Sequence, residues 1–66
     1  MEKIPTHEDF VKDRNRILST MMRLAKESIA KAENRYRNGS DSGASASLRE
    51  AFVIIKTAMD WLEEKA

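Results

Sequence analysis

Between Leu48 and Leu62 the chain carries more apolar surface than one neighbouring helix can cover. Leu48, Phe52, Ile55, Met59 and Leu62 recur at alternating steps of four and three, the spacing of a single helical seam. Ala51, Ile54, Ala58 and Trp61 form a second row beside it, and Arg49, Lys56, Asp60 and Glu63 share what remains of the circumference. An apolar arc this wide needs at least two helices against it. The rest of the chain supplies only one, so the pattern predicts that copies of the chain associate.

Size points the same way. Sixty-six residues make one domain at most, and so small a core is marginal without a disulfide, a metal or a partner. There is no cysteine and only one histidine, His7, so neither a disulfide nor a thiolate or histidine metal site is available to one chain. No metal and no cofactor are expected, and a homo-oligomer is the remaining source of burial. Twelve basic residues against eleven acidic ones give a net charge of +1, without the basic excess of a nucleic-acid-binding protein. Lys12, Arg14, Arg16, Arg23, Lys26, Lys31, Arg35 and Arg37 do make the first half the more basic one. That is a mixed solvated face, or an attraction for a small anion. No apolar run is long enough to span a membrane, and Met1–Thr6 lacks the apolar segment of a secretory signal, so the expected address is cytoplasmic.

The fold predicted is all-α: a hairpin with a long first helix and a shorter second helix, assembling into a symmetric oligomeric helical bundle. After a short lead-in, Thr6 is a good N-cap, with Glu8 and Asp9 in the first turn. The first helix is expected over about 7–38, since neither proline nor glycine interrupts it before Gly39. Its seam is Val11, Asn15, Leu18, Met22, Ala25, Ile29, Ala32 and Tyr36, with Phe10, Ile17, Met21 and Leu24 as a second row in the N-terminal half only. That half is expected to sit where several helices meet, the other half in a two-helix arm. Asn38-Gly39 is a helix stop, a Ser/Gly-rich loop is expected over about 39–46, and the second helix over about 47–65, with Ser47 and Glu50 as a capping box or Ser45 as an alternative cap. The oligomer interface is expected to draw on Phe10, Asn15, Leu18 and Met22 from the first helix and Phe52, Ile55, Met59 and Trp61 from the second. Asn15 would be the polar core residue that sets register.

No catalytic constellation is present: no nucleophile elbow, no phosphate-loop lysine, no carboxylate cluster, and His7 stands alone. The chain therefore reads as a non-enzyme. Glycine and serine leading into a helix start can present backbone N–H groups and hydroxyls to an anion. On that reading Gly43, Ser45 and Ser47 would hold a phosphate, Arg49 or Arg14 would add charge, and Tyr36 would stack on a base. The plainer alternative is a connector whose serines only cap a helix.

With Ser45 at its start and Ala51, Ile55, Ala58, Met59 and Trp61 along its length, the second helix resembles the C-terminal helix of the phage anti-CBASS sponge proteins, whose hairpin also occurs in anti-Thoeris sponges. In the turn before that helix Ser45 matches, while Ala46 and Leu48 stand where the family carries basic residues. The resemblance implies a small oligomeric protein of the host cytoplasm that sequesters a cyclic di- or trinucleotide immune signal between subunits without cutting it. The alternative function is a helical protein-interaction module, such as a secretion chaperone or an inhibitor of a host enzyme, which hides its apolar face until a partner helix arrives.

Overall fold

A computed structural model describes residues 4–64. These form three helices, α1 (His7–Lys12), α2 (Arg14–Arg37) and α3 (Asp41–Glu63), with no strand among the described residues. The two long helices make a hairpin, and α1 folds over its open end. The expected start and first stop are both found. Thr6 caps α1 in a full capping box: its hydroxyl accepts from the Asp9 N–H at 3.3 Å, and its own N–H donates to the Asp9 carboxylate at 3.0 Å. Gly39, at φ +84°, ends α2 in a Schellman turn, with the Gly39 N–H bonded to the Tyr36 carbonyl and the Ser40 N–H to the Arg35 carbonyl.

Two expectations are corrected. The first helix is not continuous over 7–38. It breaks at Asp13, whose backbone (φ −149°, ψ 75°) is non-helical. The Asp13 carboxylate accepts from the Arg16 N–H at 3.4 Å and from Arg16 Nε at 2.8 Å, so the same residue closes α1 and caps α2. The bend turns Phe10 inward against Trp61, with ring centroids 5.3 Å apart.

The connector is also shorter than expected. It is Asn38–Ser40, not 39–46, and α3 starts at Asp41, not near 47. Ser40 is the cap, accepting from the Gly43 N–H at 3.2 Å. Ser45 and Ser47 therefore lie inside a helix, and α3 matches α2 in length. Its far end stops at Glu63, and the part of that expectation at residue 65 lies outside the described residues.

The residue pattern left open which apolar row faces inward. On α3 the second row is buried, with Ala51, Ile54 and Ala58 inside and Trp61 partly covered, while Leu48, Phe52, Ile55, Met59 and Leu62 remain 41–61% exposed. On α2, Met22, Ile29 and Tyr36 are likewise exposed, and Asn15 lies on the surface of the single hairpin. The cause is the close approach that a three-residue connector imposes. Ser28 and Ala32 of α2 and Ala44, Ser47 and Ala51 of α3 are buried where the helices run together, and none is larger than serine. Phe52 or Leu48 on that line would hold the axes apart.

The larger core side chains gather at the other end. Phe10, Ile17, Leu18, Met21 and Ala25 cluster with Ile54 and Ala58, and Leu24 and Trp61 pack at the edge. Three helices meet there, as expected for the N-terminal half. Phe10 and Leu18 are thereby committed to the chain's own core and are not free for an interface. His7 fastens α1 to the end of α3: its Nε2 lies 2.8 Å from a Glu64 carboxylate oxygen, and its ring meets Trp61 edge-on.

Candidate functional site

Helix α3 disperses the expected phosphate cradle. From Ala44 onward the backbone donors at this end are committed to the helix, beginning with the Ala44 N–H on the Ser40 carbonyl at 2.9 Å. Gly43 is held from two sides: a Cβ there would stand 2.7 Å from Ser40 Oγ and 3.1 Å from Arg35 Cδ. Ser47 is wholly buried, and its Oγ accepts from Arg35 Nη1 at 2.8 Å, while the same guanidinium reaches the Gly43 carbonyl at 3.3 Å. Gly43 and Ser47 thus receive a clasp from α2 and do not face a ligand. Nothing in the sequence reading singled out Arg35. The only signal was a pair of small residues, four apart, opposite a long cation.

The clasp has a measurable asymmetry. Arg35→Ala removes a charged donor and leaves the Ser47 hydroxyl buried without it, for an expected loss of about 1–2 kcal/mol. Ser47→Ala is expected to cost clearly less, because Arg35 is exposed and turns to water. Urea unfolding of both variants checks the order.

Ser45 and Arg49 do come together. With Ser42, Ala46, Glu50, Val53, Ile54 and Ile4 they line an open groove of about 520 Å³ along the side of α3 away from Met22 and Ile29. Arg49 makes no hydrogen bond or ion pair among the described residues. Its guanidinium is therefore available beside two hydroxyls, over a floor of Val53, Ile54 and Ala46. The two remaining candidates are elsewhere. Arg14 lies over the Phe10 ring at 5.2 Å, about 30 Å along the hairpin from Ser45 at ~1.5 Å rise per residue. Tyr36 borders a separate hollow with Ile29, Ala32, Ala44 and Leu48.

The opposite aspect of the hairpin is an apolar face that no other described residue covers. A hollow of about 320 Å³ runs between the helices there, lined by Met22, Ala25, Ile29, Ile55, Met59 and Leu62 among others, with Lys26 at its edge.

No family model, curated protein or solved structure matches this chain.

Among the described residues no three histidine, cysteine, aspartate or glutamate side chains are grouped to hold a metal ion, and no helix is long and apolar enough to cross a membrane.

Proposed function

We propose that this chain is a non-catalytic sequestering protein, which holds a cyclic di- or trinucleotide signal in an assembly of hairpins and so acts as a phage anti-defence sponge. One observation carries the reading: the unpaired Arg49 guanidinium stands with the Ser42 and Ser45 hydroxyls in a groove whose floor is apolar. A phosphate needs the cation and the hydroxyls, and a base needs the flat apolar floor. Glu50, on the same groove, accepts from a base N–H. The resemblance of the second helix to the sponge proteins supplies the ligand class.

Calorimetry against a panel of cyclic di- and trinucleotides tests it. At least one member is expected to bind and to be recovered chemically unchanged after the protein is denatured. Arg49→Ala is expected to weaken that binding by about 10- to 100-fold, the scale of a charge-assisted hydrogen bond. Absence of heat with every member at high protein concentration overturns the proposal.

The uncovered face of α2 and α3 favours a second reading, a helical interaction module that receives a foreign helix. In that case the chain alone is monomeric and loosely packed, and it gains fixed near-ultraviolet ellipticity only with its partner.

A further inference from the structure

We infer that the apolar face is the contact of a two-fold dimer, in which a second copy of the hairpin closes a four-helix bundle. The hairpin is one layer of long helices, with principal extents of 44 × 22 × 13 Å, whereas a stable domain needs two layers around its core. The back of this layer is partly covered by the lead-in, with Ile4 lying in hollows beside Leu24, Ser28 and Ile54. The front has no cover among the described residues. There Met22, Ile29 and Tyr36 follow one another at heptad steps on α2, and the exposed α3 row repeats at fours and threes. That is the spacing by which helices interlock over long distances.

Together these side chains leave on the order of 800 Å² in water, the share one partner contributes to a stable interface. It exceeds the roughly 300–600 Å² of the largest apolar patch on an ordinary monomer.

The charges beside the face say which occupant fits. Lys26 lies three residues before Ile29 and edges one hollow; Glu33 lies four residues after it and edges the other. Lys26 has no ion pair among the described residues, and Glu33 holds Arg37 only loosely, at 3.7 Å. A two-fold axis near Ile29 runs the two α2 helices antiparallel and sets Lys26 of each copy against Glu33 of the other. The order of charges is self-complementary, as an isologous contact requires. This inference goes beyond the sequestration reading, since it names a surface and a symmetry that stand whether or not a nucleotide binds.

The test is the mass of the ligand-free protein by sedimentation equilibrium, from micromolar to sub-millimolar concentration. Wild type is expected at twice the chain mass or an even multiple of it. Ile55→Glu, on the face but outside the hairpin core, is expected to weaken association about 30-fold or more while keeping the helical ellipticity. Val53→Glu, similarly exposed but in the Arg49 groove, is expected to leave the mass unchanged. Lys26→Glu and Glu33→Lys are each expected to weaken the dimer, and their combination to restore it. A wild-type monomer that melts cooperatively at the highest concentration overturns the inference, as does dissociation by Val53→Glu but not by Ile55→Glu. A charge-swapped double variant that dissociates like the single ones overturns the axis at Ile29.

Discussion

Met21→Ala is expected to cost about 2–5 kcal/mol of stability, enough to unfold much of the protein at low concentration. Met21 is the largest fully buried side chain, 1% exposed, and it sits where Phe10, Ile17, Ile54 and Ala58 converge. Truncation leaves a cavity that rigid helices refill only in part. A core of this size supplies only about 3–5 kcal/mol in total, so one cavity is decisive. Circular dichroism through a urea titration measures the loss. The same experiment at several protein concentrations adds a second readout. If the folded form is an assembly, the midpoint of the variant rises with concentration, because only folded chains associate. A loss below about 1 kcal/mol would mean that the cluster around Met21 is looser than its burial indicates.

Ala51→Leu is expected to destabilise the hairpin by about 1–3 kcal/mol through the opposite fault, too much volume. Ala51 is 2% exposed and lies in the line of small side chains that lets α2 and α3 approach. Three added carbons have no room unless the helices separate, and the three-residue connector restrains separation at this end. The variant should also loosen the Arg35–Ser47 bond one turn away, so the cost of Arg35→Ala should shrink in the Ala51→Leu background. Thermal melts of the single and double variants measure that coupling. A neutral Ala51→Leu would show that the close approach of the helices is not what selects the buried row.

Several features were legible before any coordinates because they depend on a few adjacent residues. The Thr6 cap with Asp9 is one, since both partners lie within one turn. The stop at Gly39 is another, since the left-handed residue that the turn needs is nearly free of strain only for glycine. Asp13 was not legible in this way. An aspartate within a helical pattern is tolerated or capping according to what the chain gains by bending, and the gain here is the contact of Phe10 with Trp61, fifty-one residues apart in sequence. The start of α3 failed for a related reason. Ser40, Ser42, Ser45 and Ser47 are all acceptable caps taken locally, and Arg35 reaching across to Ser47 and Gly43 draws the earlier residues into the helix. The candidate site followed the helix boundary. With Ser47 and Gly43 turned to Arg35, only Ser45 and Arg49 of the expected set share a groove.

Taken alone, the order of residues determined that this protein is two long amphipathic helices joined at a glycine turn, with more apolar surface than one hairpin can hide. It did not determine which apolar row lies inside. A helix can rotate about its own axis within a wide apolar arc at little local cost, so both rows satisfy the same periodicity. Only the tertiary structure decided between them, because bringing α2 and α3 close requires small side chains on the line of contact. That choice left Phe52, Ile55 and Met59 facing outward.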